Sequence, residues 1–373
     1  MPEERDVQRC LDDLDTPALV IEMSKLESNL SSMQELADDL CVQLRPHVKT
    51  HKMPWLAKVQ CRTGARGIAT AKVSEAEVMA GSGVHDIQIA NEVVGEIKLE
   101  RLAKLNESNT VQCAVDSEEG AKLLSKRFAE EDKEIRALIE IDSGLGRAGL
   151  RSPAKVLTLA NLLARSRGVC FAGIMTHAGH VYSASSKDEV RSIGLNEGRT
   201  MVKVADHLRD KGIEVEVVSV GSTPTVRYSG SVKGVTEIRP GNYVFNDLNQ
   251  VALGAAALED CALTVLSTVM SIPAHDRVII DAGSKALSAE VGAHGSRLVE
   301  GYGHVIDKDR RLFRLSEEHG SIEGRSDQFS LGERIRIIPN HACACVNLFD
   351  RAYLVSGDEV LDFIEISARG KSQ

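Results

Sequence analysis

The sequence predicts an α/β protein in which a parallel (β/α)8 barrel is followed by a smaller antiparallel β domain. Two observations support this fold class. Between residues 42 and 240, eight short β-type segments alternate with helical patterns. Eight such units over roughly 200 residues suit a closed parallel barrel better than an open sheet. After residue 250 the helical periodicity stops, and short β-rich segments separated by turns follow, as in an antiparallel sheet.

The barrel is preceded by one strand and one helix. Residues 16–21 predict the strand, and the helix runs from Ser24 to Leu40 with apolar residues at helical spacing. The barrel strands are expected at 42–48, 67–73, 86–91, 111–116, 136–142, 171–177, 216–221 and 236–240. Helical patterns lie at 54–63, 74–81, 93–105, 118–130, 154–165 and 187–211. No Gly-x-Gly-x-x-Gly follows the first strand, so the usual dinucleotide signature is absent from the sequence.

The C-terminal β domain follows from seven further segments. They lie at 262–272, 277–281, 303–306, 328–329, 334–338, 352–355 and 360–366. We therefore divide the chain into a barrel domain, residues 16–250, and a β domain, residues 251–373. The N-terminal strand, residues 16–22, is a candidate member of the β domain.

Composition and charge exclude several classes of function. The 373 residues are 43% hydrophobic, and the net charge of −9 disfavours nucleic acid or a membrane surface as a partner. No apolar run approaches the roughly 18 residues that span a bilayer. The first 14 residues lack the apolar core of a secretory signal. The eight scattered cysteines then predict free thiols in a reducing compartment, and we expect a cytoplasmic location.

The most informative segment is residues 45–52, Arg-Pro-His-Val-Lys-Thr-His-Lys, at the end of the first barrel strand. In such barrels the chemistry lies at the C-terminal ends of the strands. Lys49 is flanked by His47 and His51. An amine that is partly desolvated and close to other cations has a lowered pKa, and its neutral form can make a Schiff base with an aldehyde. A solvated basic loop is the alternative interpretation.

The ends of strands 7 and 8 indicate an anion site. Residues 221–223, Gly-Ser-Thr, follow strand 7, and Arg239 and Gly241 follow strand 8. Glycine lets backbone N–H groups approach an anion closely, and this is the usual phosphate position in eight-stranded barrels. Arg147, after strand 5, and Arg239 can face a phenolate, a carboxylate or a ring nitrogen. Plain tight turns and surface ion pairs are the alternatives.

A second kind of chemistry is indicated near the C-terminus. In an extended chain, His341, Cys343 and Cys345 point to the same side. An imidazole and a thiolate two residues apart suit zinc, and a site with two or three protein ligands keeps a position open for substrate. The alternative is a hydrogen-bonded buried histidine beside core cysteines. Cys345 has no assigned role.

Together these motifs resemble the D-serine dehydratase and D-threonine aldolase family, pyridoxal-phosphate enzymes related to alanine racemase. The resemblance covers most of the chain. Its segments are Leu14-Asp15-Thr16-Pro17, residues 45–52, Gly146-Arg147, His177-x-Gly179-x-x-Tyr182, Gly221-Ser222-Thr223-Pro224-Thr225, Arg239-Pro240-Gly241-Asn242-Tyr243 and Pro339-Asn340-His341-Ala342-Cys343.

The resemblance implies a set of site residues. Lys49 is expected to form the Schiff base with pyridoxal 5'-phosphate. The expected cofactor contacts are His47, Lys49, Arg147, His177, Tyr182, Gly221, Ser222, Thr223, Arg239, Gly241, Asn242 and Tyr243. His341 and Cys343 are expected to bind Zn²⁺, with manganese or magnesium as alternatives. A homodimer with the site at its interface is implied as well.

The resemblance also implies a lyase acting on D-β-hydroxy amino acids. In this family a His-x-Cys pair tends to accompany dehydratases and a His-x-Asp pair aldolases, so Cys343 favours a D-serine dehydratase that releases pyruvate and ammonia. An aldolase of D-threonine or D-3-hydroxyaspartate, an amino-acid racemase and a non-catalytic pyridoxal-phosphate homeostasis protein remain open. A racemase needs a second base, usually a tyrosine of the β domain, where Tyr302 and Tyr353 are the tyrosines present. Lys285 is a candidate contact for the substrate carboxylate and a weaker candidate for that base, and a surface turn lysine is the favoured alternative.

Overall fold

The computed structural model describes residues 10–293, 296, 298–324 and 326–373. The chain divides into two compact units. The barrel unit contains Ser32–Lys49, Pro54–Gly241 and Gly370–Gln373, and the β unit contains Met1–Ser31, Thr50–Met53 and Asn242–Arg369. The domain boundary expected between residues 250 and 251 stays a prediction. In the described part of the chain, no helix has the length and apolarity needed to cross a membrane.

Strand β1 (Ala18–Glu22) and helix α1 (Met23–Asp39) come before the barrel. The barrel strands are β2 (Gln43–Leu44), β3 (Ile68–Thr70), β4 (Asp86–Glu92), β5 (Thr110–Val115), β6 (Ile135–Ile141), β7 (Val169–Thr176), β8 (Val217–Val220) and β9 (Glu237–Ile238). The helices of this unit are α2 (Pro54–Thr63), α3 (Val73–Gly81), α4 (Glu96–Asn106), α5 (Glu118–Glu130), α6 (Pro153–Arg165), α7 (Lys187–Arg209) and α8 (Val226–Ser229). Helices α2 and α5 have the predicted bounds.

The eight strands form one parallel sheet that closes on itself. Their order is β2-β9-β8-β7-β6-β5-β4-β3. The two ends meet where His47, just after β2, makes a parallel bridge with Ala69 of β3. Ala69 N donates to Pro46 O at 2.8 Å, and Arg66 N donates to Leu44 O at 3.0 Å. The predicted (β/α)8 barrel is confirmed.

The composition of the central strands explains why they form this sheet. Strands β5, β6 and β7 are rich in Val, Ile and Ala and are buried along most of their length. Strands covered by helices on one side and by the barrel interior on the other need apolar residues on both faces. Side-chain caps fix where two helices begin: Ser117 accepts from Gly120 N before α5, and Ser186 accepts from Glu189 N before α7.

The β unit combines β1 with the C-terminal strands. These are β10 (Leu263–Ala274), β11 (Arg277–Ile280), β12 (His304–Val305), β13 (Arg310–Leu315), β14 (Gly320–Glu323), β15 (Arg334–Ile338), β16 (Arg351–Ser356) and β17 (Glu359–Glu365). Short helices α9 (Leu248–Ala252), α10 (Ser284–Leu287) and α11 (Ala342–Val346) connect them. Strands β10, β11, β14, β13, β12 and β15 close an antiparallel barrel, because β10 pairs with both β11 and β15. Strand β1 pairs antiparallel with β10 and parallel with β16.

The predicted antiparallel β domain is confirmed, with two local differences. Residues 328–329 do not form a strand, because Ser326–Gln328 turn into a 3-10 helix. Strands β13 and β14 lie where the sequence predicted none. In β13 only Leu312 is fully buried and arginines fill half the positions, so its alternation is weak. Such a strand forms because its neighbours β12 and β14 pair with it, not through a strong preference of its own.

Candidate active site

Lys49 lies in a short 3-10 turn, Val48–Thr50, that follows the first barrel strand. Backbone hydrogen bonds fix the approach to this turn on both sides. His47 N donates to Pro240 O at 2.9 Å, and Ala69 N donates to Pro46 O at 2.8 Å. Pro46 also keeps the residue before it extended. Lys49 is half-buried, and its backbone N lies 3.4 Å from His47 Nδ1. The lysine is therefore held at the C-terminal end of its strand.

His47 reports the electrostatics around this turn. Burial lowers the pKa of its imidazole most, and the charges of Lys49, Arg239, His177 and Arg147 lower it further. The ring is therefore neutral at physiological pH. The same interactions show that these predicted site residues lie within electrostatic reach of one imidazole. Their excess positive charge favours an anionic ligand.

Three other strand ends lie at the same end of the barrel as the lysine turn, because β2, β9, β8 and β7 are parallel and consecutive in the sheet. Strand β9 leads into Arg239 and Gly241, β8 into Gly221, and β7 into His177. His177 Nδ1 lies 3.4 Å from Gly221 O. Tyr182 is buried in the turn that follows His177. The barrel fold thus places predicted site residues that are far apart in the sequence at the same end of the sheet.

Residues 221–225 form a compact turn that we call the glycine–hydroxyl loop. Gly221 has φ +114°, a conformation that favours glycine. Ser222 N and Ser222 Oγ each lie 3.1 Å from Thr225 Oγ1, and Thr225 N donates to Ser222 O at 2.9 Å. Ser222 and Thr223 are both buried. A preformed loop of this kind, with hydroxyl and N–H donors, fits a phosphate group.

Glu197 supports this loop and was not predicted from the sequence. Its side chain is 1% exposed on α7, and its Oε1 accepts from Gly221 N at 2.8 Å. Burial raises the pKa of this carboxyl, and the hydrogen bond from Gly221 offsets part of that effect. The only signal in the sequence is an acidic residue on the apolar stripe of a long helix, between Val190 and Met201.

The two predicted arginines have different surroundings. Arg239 is buried and donates to Ser219 Oγ and Thr176 O inside the barrel. Arg147 is half-exposed and pairs with Glu140 Oε1 at 3.3 Å. Arg239 is therefore locked in place, whereas Arg147 has donors available at the strand ends.

A buried ion network lies beneath Arg239. Ser219 donates to Glu237 Oε1 at 2.5 Å, and Arg45 contacts Glu237 Oε2 at 2.7 Å and Asp86 Oδ1 at 2.6 Å. Burial opposes ionisation of Glu237, but the charges of Arg45 and Arg239 still hold its pKa below the ordinary value. Arg45, the first residue of the lysine motif, therefore stabilises the barrel interior.

Carboxylates lie at or near the C-terminal ends of strands β4, β5 and β6. Burial raises the pKa of Glu92 to about 7, and the neighbouring Glu140 and Asp116 contribute to that rise. Asp116 Oδ2 accepts from Gly149 N at 3.1 Å. Because like charges close together resist ionisation, Glu92 can hold a proton near neutral pH.

In the β unit, His341 and Cys343 lie beside each other, but not through the extended geometry that the sequence suggested. The chain leaves β15 at Ile338 and turns into helix α11. Ala342 N donates to Asp247 Oδ2 at 2.8 Å, and Cys345 N donates to His341 O at 3.2 Å. These bonds bend the segment, so the prediction of one straight edge through residues 341, 343 and 345 was wrong.

The His341–Cys343 pair is polarised. His341 Nδ1 lies 2.8 Å from Glu290 Oε2, and Cys343 Sγ lies 3.3 Å from the hydroxyl of Thr50. Burial opposes the charged form of each, yet their mutual hydrogen bond and opposite charges raise the pKa of His341 and lower that of Cys343. The Cys343 thiol is therefore easier to ionise beside His341, and metal binding requires the ionised form.

This donor set fits zinc, which binds imidazole nitrogen and thiolate sulfur. A carboxylate on the other ring nitrogen, as Glu290 provides for His341, is the usual support of a metal-binding histidine. Over residues 10–293, 296, 298–324 and 326–373, no three His, Cys, Asp or Glu side chains are grouped to hold a metal. His341 and Cys343 are the residues in the described chain whose chemistry fits such a metal.

The remaining candidates in the β unit have other surroundings. Asn242 Nδ2 donates to Asp247 Oδ2 at 2.5 Å, and Tyr243 is buried in the same turn. The thiol of Cys345 donates to Ala286 O at 3.1 Å, away from the metal pair. Lys285 is exposed and pairs with Glu318 at 2.7 Å, as a surface lysine does.

Comparison with known proteins identifies the fold and the class. Residues 21–248 match the family model described as "Alanine racemase, N-terminal domain", and residues 262–355 match the model described as "Putative serine dehydratase domain". A lysine-bearing parallel barrel followed by an antiparallel β barrel therefore defines an alanine racemase-like enzyme. Within that class, the chain belongs to the D-serine dehydratase and D-threonine aldolase family, as the sequence predicted.

Curated relatives cover nearly the whole chain. D-threonine aldolase of Arthrobacter sp is 36% identical over 365 residues, covering 96% of this chain and 94% of the relative. D-threo-3-hydroxyaspartate dehydratase of Delftia sp. (strain HT23) is 36% identical over 348 residues, covering 89% and 91%. D-serine dehydratase of Dictyostelium discoideum is 30% identical over 377 residues, covering 93% and 95%. This chain is thus a pyridoxal-phosphate-dependent lyase.

Solved structures agree with the fold. D-threonine aldolase from Filomicrobium marinum superposes with a TM-score of 0.91 at 31% identity, covering 98% of this chain and 99% of that one. A cysteine-to-alanine mutant of D-threo-3-hydroxyaspartate dehydratase, in the metal-free form, gives a TM-score of 0.90 at 33% identity, covering 96% and 99%. A histidine-to-alanine mutant of the same dehydratase was also solved.

Proposed function

We propose that this protein is a metal-dependent dehydratase of D-β-hydroxy amino acids and that D-serine is its substrate. The observation that carries the proposal is the polarised His341–Cys343 pair backed by Glu290. The metal-free cysteine mutant among the solved relatives supports a metal role for this thiol. In that dehydratase the mutated histidine and cysteine are separated by one residue, as His341 and Cys343 are.

Most of the proposed cofactor contacts belong to the barrel unit, whereas Asn242 and Tyr243 belong to the β unit. The amine of Lys49 would carry pyridoxal phosphate, and the glycine–hydroxyl loop would hold its phosphate. His47, His177, Tyr182, Arg147, Arg239 and Gly241, with Asn242 and Tyr243, would complete the proposed cofactor contacts. When bound, pyridoxal phosphate supplies an electron sink that makes the α-proton of an amino acid acidic.

The protein residues have separate tasks in the proposed reaction. The amine of Lys49 takes the α-proton from one face of the substrate, which selects the D enantiomer. His341 and Cys343 hold a divalent metal, proposed to be zinc, which would act as a Lewis acid at the β-hydroxyl. Thr50, which contacts Cys343, lies in the β unit together with the proposed metal pair. Loss of the α-proton and of β-hydroxide from D-serine leaves an enamine that water converts to pyruvate and ammonia.

An aldolase is the second candidate, because the Arthrobacter D-threonine aldolase is 36% identical over nearly all of the chain. In that reaction the β-hydroxyl loses its proton and the Cα–Cβ bond breaks, giving glycine and an aldehyde. Both reactions use the same lysine and metal. The cysteine at position 343, in place of an aspartate, is the feature that favours elimination.

Product analysis separates the candidates. The purified protein is incubated with D-serine, D-threonine and D-3-hydroxyaspartate, with and without a chelator, and products are identified by mass spectrometry. We expect pyruvate from D-serine, none from L-serine, and loss of turnover with the chelator. Glycine plus an aldehyde as the main products would show an aldolase. Inverted amino acid without a keto acid would show a racemase, and no product with a retained cofactor band would favour a binding protein.

A further inference from the structure

Glu197 is a buried carboxylate that the proposed mechanism does not use. It lies on α7 with 1% of its surface exposed, on a stripe otherwise made of apolar residues and glycines. Oε1 accepts from Gly221 N at 2.8 Å. The hydroxyls of Thr225 and Ser229 lie near the carboxyl. In the described structure, Oε2 makes no hydrogen bond of normal geometry. One carboxyl oxygen is thus directed at the Gly221 N–H, and two hydroxyls lie beside the carboxyl.

Helix α7 is placed unusually close to the segment that follows this N–H. A Cβ atom at Gly194 would lie 2.8 Å from Tyr228 Cβ, and one at Gly198 would lie 2.6 Å from Ser229 O. Real Cβ atoms do not approach other atoms this closely, so glycine is required at both positions. The close packing brings the Glu197 carboxyl within reach of the loop.

The glycine–hydroxyl loop is held from both sides at Gly221. Glu197 binds the N–H of this residue, and His177 Nδ1 lies 3.4 Å from its carbonyl oxygen. Gly221 has φ +114°, so its peptide planes are set by these contacts and not by an ordinary strand conformation. Ser222 follows this residue directly, and its own hydrogen bonds with Thr225 hold the rest of the loop.

We propose that Glu197 is a positioning residue that fixes the glycine–hydroxyl loop in the conformation that receives the phosphate of pyridoxal phosphate. This inference rests on the proposed function, because it takes the loop to be the phosphate site. The contact uses the length of the side chain and one acceptor oxygen. Glutamine preserves both, whereas aspartate keeps the charge but is one methylene too short.

The test compares Glu197→Gln with Glu197→Asp, and uses Met201→Ala as the control. Met201 is fully buried on the same face of α7, one turn further along, so its truncation destabilises the helix packing without removing the contact to Gly221. Each apoprotein is titrated with pyridoxal phosphate and with pyridoxal, which lacks the phosphate, and binding is followed by absorbance. The shift of the melting temperature in inorganic phosphate is a second readout.

The original protein should prefer pyridoxal phosphate strongly over pyridoxal. Glu197→Gln should keep this preference within about threefold. Glu197→Asp should lower it about five- to tenfold, the effect of losing one hydrogen bond, and should reduce the phosphate-induced shift. Met201→Ala should lower the melting temperature and leave the preference unchanged.

Three outcomes overturn the inference while leaving the proposed function intact. In the first, both Glu197 variants keep the preference for pyridoxal phosphate over pyridoxal. In the second, Glu197→Gln loses this preference and Glu197→Asp keeps it. In the third, Met201→Ala lowers the preference as much as Glu197→Asp does. A different result, in which the original protein binds pyridoxal as tightly as pyridoxal phosphate and shows no phosphate shift, removes the proposed phosphate site and this inference together.

Discussion

At the scale of single residues, Lys49 was predictable because its chemistry is local. A lysine between histidines at a strand end is visible in the sequence, and the structure places it in a fixed turn next to the loops that were expected around it. Glu197 was not predictable in this way, because its partner, the N–H of Gly221, is brought to it by the packing of α7 on the barrel.

Lys49→Ala should abolish the absorbance band of lysine-bound pyridoxal phosphate and lower turnover by at least about a hundredfold, since it removes both the covalent attachment and the proposed base. The measurement is the visible spectrum with borohydride trapping, followed by peptide mapping. Lys52→Ala, three residues further along the same segment, is the matched control and should keep the band. A trapped cofactor on another lysine would refute the assignment.

Cys343→Ala should lose the metal and the elimination reaction but keep the cofactor band, because the proposed metal pair consists of His341 and Cys343 while the cofactor lysine is Lys49. Metal content by mass spectrometry and the visible spectrum check this directly.

Cys345→Ala is the control for that experiment. Its thiol donates to Ala286 O and lies away from the pair, so we expect full metal content and a stability loss of about 1 kcal/mol. Equal metal content in both variants would contradict the ligand assignment.

At the scale of elements, the barrel strands and helices follow from period and composition. Strands such as β6, with apolar residues on both faces, and helices with a regular apolar stripe are determined locally, so their predicted positions agree with the structure. Strand β13 was missed, because its arginines hide the alternation and pairing with β12 and β14 decides its conformation. Helix α11 was missed for a similar reason: a hydrogen bond from Ala342 N to Asp247 bends a segment that reads as extended.

Glu92, at the end of β4, predicts that the free energy of unfolding depends on pH. Glu92 keeps its proton in the folded protein up to about pH 7, whereas a glutamate in the unfolded chain ionises near 4.3. Between these two values the folded state binds more protons than the unfolded state, so the free energy of unfolding falls as pH rises. Below about pH 4 the Glu92 carboxyl is protonated in both states and does not change the free energy of unfolding with pH.

Glu92→Gln should therefore reduce the loss of stability between pH 4.5 and 7, by up to about 1 kcal/mol per pH unit. Urea unfolding across this range is the measurement. Glu100→Gln, an exposed position on α4, is the control and should leave the slope unchanged. An identical slope in Glu92→Gln and the original protein would show that this carboxyl is not the source.

At the scale of the whole molecule, the proposed assembly is a homodimer, an expectation that comes from the family. Analytical ultracentrifugation should give twice the mass of the chain, and activity per chain should fall on dilution through the dissociation range. A monomer with full activity at all concentrations would contradict the proposal. The cytoplasmic location expected from the sequence stays a prediction.

The sequence by itself determined the fold class, the family and the chemistry that each segment brings, because these depend on local periodicity and on motifs within a few residues. Only the tertiary structure decided which groups meet. Parallel pairing of β2, β9 and β8 puts the turn of Lys49 and the glycine–hydroxyl loop at the same end of the barrel. Close packing brings Glu197 to Gly221, and a bend after β15 sets His341 against Glu290. Such contacts join residues far apart in the chain, and their geometry depends on packing that no local pattern encodes.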